Sequence, residues 1–152
     1  MSEAEFDAWQ RDLAREYADD QVAAGNWDPV TAMDRAAAEN ARFLPNGLAT
    51  PRMLFVRAVL IGGEPVGRAW LGLDHPRGAP GTAFLYDIAI DEPHRGKGFG
   101  TAFLAELERL VIENGVSALE LNVFGDNEPA LALYRHSGYG VVTQQLRKRL
   151  GD

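Results

Sequence analysis

Apolar side chains at Phe6, Trp9, Leu13 and Tyr17 recur at helical spacing, which predicts an amphipathic helix over residues 3–24. Ser2 with Glu5 forms a capping-box pattern at its start, and Gly25-Asn26 stops it. Asp28-Pro29 restarts a helix, with Asp28 as cap and Pro29 at the first helical position, running to about Arg42. From Met53 the period changes. Met53–Ile61 reads as a strand, Gly62-Gly63 as a hairpin turn and Pro65–Leu73 as the returning strand. Asp74–Gly81 is a loop rich in proline and glycine. A strand over Thr82–Asp91 follows, then a polar turn over Glu92–Lys97 and a helix to about Asn114, closed by Gly115. Ser117–Phe124 is a further strand, Asn127–His136 a short helix stopped by Gly138, and Tyr139–Leu150 a last strand or hairpin.

That order defines an α/β domain with a mostly antiparallel first half and a strand–helix–strand second half. The 152 residues fit one domain, 1–152, with no repeat or linker. Composition adds exclusions. The absence of cysteine removes thiol catalysis, disulfides and thiolate metal sites. No apolar run reads as a signal peptide or a membrane span, so a cytoplasmic, soluble protein without a membrane partner is expected. The net charge of −7 is concentrated at the front: residues 1–50 carry 10 acids and 4 bases. Such a surface repels nucleic acid and attracts cations, although an acidic run is more often simply a solvated helix face.

The segment richest in chemistry is Leu85–Thr101. Gly96, Gly98 and Gly100 alternate directly before a predicted helix, so backbone amides can approach a ligand without obstruction by a Cβ. A helix N-terminus has unpartnered N–H groups and a positive dipole end, which together favour phosphate. Arg95 and Lys97 add charge beside it. The segment lacks the G-x-x-x-x-G-K-[ST] pattern of nucleotide hydrolases and the G-x-G-x-x-G of dinucleotide-binding folds.

Arg95-Gly96-Lys97-Gly98-Phe99-Gly100 resembles the R/Q-x-x-G-x-G/A signature of the GCN5-related N-acetyltransferases. Asn127-Glu128-Pro129-Ala130-Leu131-Ala132-Leu133-Tyr134-Arg135-His136-Ser137-Gly138-Tyr139 resembles their N-x-x-A-x-x-L-Y-x-x-x-G-F/Y signature, and Leu85–Ile90 looks like their fourth strand. The resemblance implies a mixed, mostly antiparallel central sheet flanked by helices, here with the first strand missing because a capping box already stands at Ser2. An edge left open in this way could be covered by another copy, as a homodimer.

The same resemblance implies acetyl-CoA as cosubstrate, with no metal, and transfer of its acetyl group to an amine, a small molecule or a peptide, by direct attack on the thioester. The pyrophosphate would lie on Arg95, Gly96, Lys97, Gly98, Phe99 and Gly100, with Thr101 adding a hydroxyl. The pantetheine arm would run along Ile88, Ala89 and Ile90 and bond Asn127. The N–H of Ile90 would serve the oxyanion, and the phenol of Tyr134 would protonate the leaving thiolate. The general base is less defined. Many relatives carry a carboxylate 12 residues before the motif tyrosine, and that position is Asn122 here. The role passes to Asp87, to Glu120 or to a water chain. By alternation Asp87 shares a face with Leu85 and Ala89, and Glu120 with Asn122. The loss at Asn122 keeps open an alternative, a non-catalytic acyl-CoA sensor or accessory domain. Trp9, Tyr17, Trp27 and Phe43 are candidates for the acceptor wall, although aromatics at helical spacing are more often core.

Overall fold

The computed structural model describes residues 1–151. Helix α1 (Glu3–Ala23) opens with the expected capping box: the Ser2 hydroxyl accepts from the Glu5 N–H at 3.2 Å, and the Glu5 carboxylate accepts from the Ser2 N–H at 2.7 Å. Helix α2 spans Ala32–Phe43 and starts later than Asp28-Pro29 predicts. The Asp28 carboxylate accepts from the Val30 N–H at 2.8 Å, and its carbonyl accepts from Thr31. Asp28 therefore closes a turn on itself, a local competition typical of this residue. The two helices meet through Ala14, Ala18, Ala32 and Ala36, small side chains that let them lie close.

Strands β1 (Met53–Val59), β2 (Pro65–Gly72), β3 (Thr82–Ile90) and β4 (Ala118–Leu121) stand side by side in that order. The first three are antiparallel, and β4 runs parallel to β3. The parallel step is made by helix α3 (Phe99–Glu113), as a crossover of this kind requires. Helix α4 covers Glu128–His136.

The sheet is buried on both faces by different chemistry. On one side Phe6, Trp9 and Leu13 of α1 pack with Phe55, Trp70 and Tyr86, an aromatic layer in which Trp70 stacks on Tyr86 at 4.4 Å. On the other side Phe103, Leu104, Leu107 and Val111 of α3 close over Ala69, Leu71, Ala83 and Leu85. Leu71 and Leu104 have no exposed surface, and burial of such a side chain contributes about 1.5–3 kcal/mol.

Two expectations need correction. The strand over Ser117–Phe124 shrinks to Ala118–Leu121, and Tyr139–Leu150 forms neither strand nor hairpin. Both segments carry strand-like side chains but lack a neighbour to bond, and a strand exists only in a ladder.

Candidate active site

The register between β2 and β3 pairs Trp70 with Asp87 and Leu71 with Leu85, leaving Tyr86 as an extra residue. This bulge breaks the alternation on which the sequence argument relied. Leu85 faces α3, whereas Asp87 lies beside Tyr86 on the α1 side and does not share a face with Leu85. Bulges bend a strand and re-aim side chains.

Pairing with β4 ends at Leu85, the residue directly before the bulge. Tyr86–Ile90 therefore runs on with β2 on one side and an open gap on the other. Asp91 donates its N–H to Val66 of β2 at 2.8 Å. Alternation then turns the backbone groups of Ile88 and Ile90 toward the gap and those of Ala89 toward β2. The Ile90 carbonyl already has a partner there, the Arg95 Nε–H at 2.8 Å. The N–H groups of Ile88 and Ile90 are the donors that face the gap.

The glycine-rich turn stands at the end of this gap. A short 3-10 turn, Glu92–His94, ends β3's run, and Gly98 caps α3 with φ of 84°. Gly96 has φ of 75°. Both conformations are costly for residues with a Cβ. Nothing lies within 4 Å of where a Cβ would stand at Gly96 or Gly98, so the turn presents open backbone. Gly98 makes no side-chain cap, and the first internal bond of α3 runs from Ala102 to the Gly98 carbonyl. The N–H groups of Phe99, Gly100 and Thr101 precede it and have no intrahelical acceptor. Gly100 sits closer in, where an added Cβ would be 3.7 Å from Leu133 of α4. Lys97 and Thr101 are exposed beside the turn, as is Arg95. These residues fit a pyrophosphate: amides, a positive dipole end and two cations around open space.

Asp87 is the most perturbed carboxyl near the gap. Its side chain is 12% exposed. Burial raises its pKa to about 6, against the lowering effects of the Arg68 charge and of the Trp9 hydrogen bond, while Glu16 adds to the rise. Trp9 Nε1–H donates to Oδ2 at 3.3 Å, and Arg68 Nε stands 3.5 Å from the same oxygen. The Arg68 contact is one of charge, because its Nε lacks a well-directed hydrogen bond. Arg68 also approaches Glu16 at 3.6 Å and lies over the Trp9 ring at 5.4 Å. Trp9, a candidate for the acceptor wall in the sequence, thus contacts Asp87, and Arg68 is a neighbour that sequence reasoning missed. The place of Trp9 in the helical apolar stripe gives no sign of the Asp87 contact, and nothing local marks Arg68.

Tyr134 lies on α4 near this carboxyl. Burial raises its pKa, and the Asp87 charge raises it further. Its ring meets Tyr139 edge-on at 5.9 Å. The Tyr139 hydroxyl donates to Glu108 of α3 at 2.7 Å and ties α4's end to the body. Asn127 caps α4, its Oδ1 accepting from the Ala130 N–H at 3.3 Å, which leaves the side-chain amide N–H groups free. The cap fixes α4 beside the gap and gives the motif asparagine a local role.

Glu120 keeps other company. It accepts from His75 at 3.0 Å and meets Arg77 at 3.8 Å. The Arg77 N–H donates to His75 Nδ1 at 3.0 Å, so Nδ1 is the acceptor and Nε2 carries the proton toward Glu120. Glu120 pairs in register with Phe84, on the far side of the bulge from Asp87. Asn122 is exposed beyond the end of β4. The structure thus brings Asp87, Tyr134 and the Ile90 backbone to one gap and holds Glu120 in a separate cluster. Of the candidate wall aromatics, Trp9 touches Asp87, Phe43 packs on Tyr86 at 5.2 Å, and Tyr17 and Trp27 pack on each other at 5.2 Å. Among the described residues no group of three or more His, Asp or Glu side chains could hold a metal ion.

The sheet is thus split beside a glycine turn at a helix N-terminus. Comparison with known proteins gives that architecture a family. The sequence model of the Acetyltransferase (GNAT) family matches residues 6–139, and the chain belongs to that family. It is 31% identical to the uncharacterized N-acetyltransferase YdgE of Bacillus subtilis, across 99% of this chain and 95% of that one. YycN of the same organism, also an uncharacterized N-acetyltransferase, is 31% identical across 99% and 96%. The crystal structure of YycN superposes with a TM-score of 0.92 over 100% of this chain and 96% of that one. AAC(6')-Iy, solved with the bisubstrate analog CoA-S-monomethyl-acetylneamine, shares the fold at a TM-score of 0.60 and 16% identity, over 100% and 95% of the two chains. The chain is an acetyltransferase of the family that uses acetyl-CoA, and no helix among the described residues is long and apolar enough to cross a membrane.

Proposed function

We propose that this acetyltransferase moves the acetyl group of acetyl-CoA to a primary amine in one step, within the gap between β3 and β4. The observation that carries the reading is the convergence at that gap of the free Ile90 N–H, Asp87 and Tyr134, next to the open turn at Gly96 and Gly98. Acetyl-CoA supplies an acetyl group already activated as a thioester. The amides of the Arg95–Gly100 turn, with Lys97 and the Thr101 hydroxyl, bind its pyrophosphate. The unpaired edge at Ile88 and Ile90, with Ala89 between them, and the free amide of Asn127 align its arm. The bisubstrate analog bound by AAC(6')-Iy, in which coenzyme A and an acetylated amine are one molecule, supports a single cleft for both substrates in this fold.

Each residue's chemistry follows from its surroundings. Ile90 N–H donates to the thioester oxygen as negative charge develops there, a fixed donor that needs no reorganisation. Asp87 takes the proton that the amine must lose. A carboxyl raised to about 6 is mostly ionised at neutral pH yet more basic than an ordinary aspartate. Arg68 and Trp9 hold it in place. Tyr134 returns a proton to the sulfur as the carbon–sulfur bond breaks. Its phenol is protonated at neutral pH, because both burial and Asp87 raise its pKa. Glu120, anchored by His75 and Arg77, supports the second strand of the gap and is the lesser candidate for base.

The acceptor is a cation in solution on this reading. The acidic surplus of residues 1–50 lies on α1, with Asp28 in the turn after it, and Glu16 of α1 reaches the Arg68–Asp87 pair. A negative wall concentrates cations, and salt weakens the effect. The test follows thiol release from acetyl-CoA with matched cationic, neutral and anionic acceptors at low and high salt. Turnover with the cationic amine, reduced by salt, is expected. Coenzyme A binding without turnover on any amine would favour the acyl-CoA sensor instead.

A further inference from the structure

Two arginines stand opposite each other on the α1 face of the sheet. Arg57 of β1 pairs in register with Arg68 of β2, and each has its own glutamate on α1. Arg57 meets Glu5 at 3.3 Å, and Arg68 meets Glu16 at 3.6 Å. Like charges in directly opposed positions repel, so a carboxylate for each has a plain structural use. Arg68 differs in having a second carboxylate. Its Nε lies 3.5 Å from Oδ2 of Asp87, and its guanidinium lies over the Trp9 ring at 5.4 Å. Arg57 meets no other carboxylate among the described residues. The two Arg68 contacts are matched in length but not in surroundings, because the Asp87 side chain is buried and that of Glu16 is exposed. The Arg68 Nε–H is buried and lacks a directed hydrogen bond, so the guanidinium is shared between the carboxylates and locked to neither.

Proton transfer to Asp87 changes this balance. Oδ2 is occupied by Trp9 and Arg68, whereas Oδ1 has no partner among the described residues. When the amine gives up its proton, an N–H bond breaks, an O–H bond forms at Oδ1, and the carboxylate charge disappears. An arginine side chain that is only 25% exposed would then be left without a counter-charge, which is a costly state. Glu16 removes that cost. We propose that Glu16 is a positioning residue for acetyl transfer: it gives Arg68 a second partner, so that Asp87 accepts the proton at Oδ1 without stranding the guanidinium. The three groups together pass from net negative to neutral in that step. The directions of the Asp87 shift agree, since burial raises its pKa, Arg68 and Trp9 lower it, and Glu16 raises it. Tyr134 of α4 is the other titratable group that faces Asp87, and α2 places the uncharged Phe43 beside Tyr86. The role of Glu16 rests on the reading of Asp87 as the base.

The test is the titration of Asp87 by carboxyl-carbon NMR in the full chain, which needs no acceptor. Its signal is the one missing from Asp87→Asn. The ratio kcat/KM reports groups of the free enzyme, so this midpoint is the one that turnover follows. The parent should titrate at about 6. Glu16→Gln, at an exposed position, should lower the midpoint by roughly one unit, a tenfold loss of proton affinity. Arg68→Gln should raise it, and adding Glu16→Gln to that chain should then change it much less than in the parent. A second signal needs no arginine variant. Below the midpoint the Arg68 guanidinium N–H groups should stay protected from exchange in the parent and lose protection in Glu16→Gln. An unmoved midpoint in Glu16→Gln, an equal shift with and without Arg68, or equal protection in the two chains overturns the proposal. Turnover that keeps its acid limb in Asp87→Asn overturns the base assignment instead, whatever these titrations show.

Discussion

Residues 1–116 and residues 117–151 are built to different standards. The first region holds every buried side chain among the described residues, from Phe6 to Val116. The second holds none, yet it supplies Asn127 and Tyr134 to the candidate site. The aromatic layer, the α3 core and Asp87 are rigid parts of the first region. The gap exists because the second region leaves β3 after Leu85. A cleft of this kind places one wall in a well-packed body and the other in a loosely held element. Local stability follows buried contacts, so α4 belongs to the part that opens first.

The sharpest test of the comparison is Tyr134→Phe. The variant removes one hydroxyl from the loosely packed region and no packing volume. General acid catalysis contributes about 10²–10⁴-fold, so kcat and kcat/KM should fall together by roughly that factor. Unchanged kcat would leave Tyr134 as a packing residue and move the chemistry into the first region.

Paired truncations test the packing contrast directly. Leu104 has no exposed surface, and Leu104→Ala should cost about 2–5 kcal/mol in denaturant unfolding. Leu133 of α4 is only partly buried, and Leu133→Ala should cost about 1 kcal/mol or less by the same area argument. Equal losses would erase the distinction between the regions.

Gly98→Val tests the turn at the border between them. Coenzyme A at 100 times its Kd should stabilise the parent by about 2.7 kcal/mol, read as a rise in thermal midpoint. The variant should lose that rise, because φ of 84° strains any residue with a Cβ and distorts the amides. A full ligand-induced rise in Gly98→Val would mean that the turn does not cradle the pyrophosphate.

The smallest expected effect is in pH. Asp87 must be ionised to act as base, so kcat/KM should climb about tenfold per unit below pH 6 and level off above it. Asp87→Asn should lower the plateau and remove that limb, leaving only the titration of the amine. The sign for stability is opposite. The folded pKa lies above the unfolded value of about 3.8, so this group's contribution is fully present at pH below that value and is lost as pH rises through 6. Denaturant unfolding between pH 4 and 7 should therefore fall less with pH in Asp87→Asn than in the parent.

The same division marks what the sequence made legible. Local rules sufficed for the capping box at Ser2 and for the glycine turn before α3, because each is settled within a few residues. Asp28 looked like a cap and closed a turn, since the same carboxylate serves either structure. The bulge at Tyr86 could not be read, because register belongs to a pair of strands and Leu85-Tyr86-Asp87 carries no local mark of it. Asp87 was found by chemistry but given the wrong face for that reason. The strands over 122–124 and 139–150 failed because pattern specifies a face and not a partner. Alternating glycines located the turn, resemblance located Tyr134, and only the structure joined Trp9 and Arg68 to Asp87.

The extra residue at Tyr86 has a consequence for mutational history. Loss of that one codon would leave Trp70 opposite Asp87 and Leu71 opposite Leu85 as consecutive pairs, so the ladder would heal while Asp87 kept its orientation. A straightened β3 could then accept β4 beyond Leu121, closing the split in which the thioester is proposed to lie. Such a deletant should fold and yet gain no thermal stability from coenzyme A.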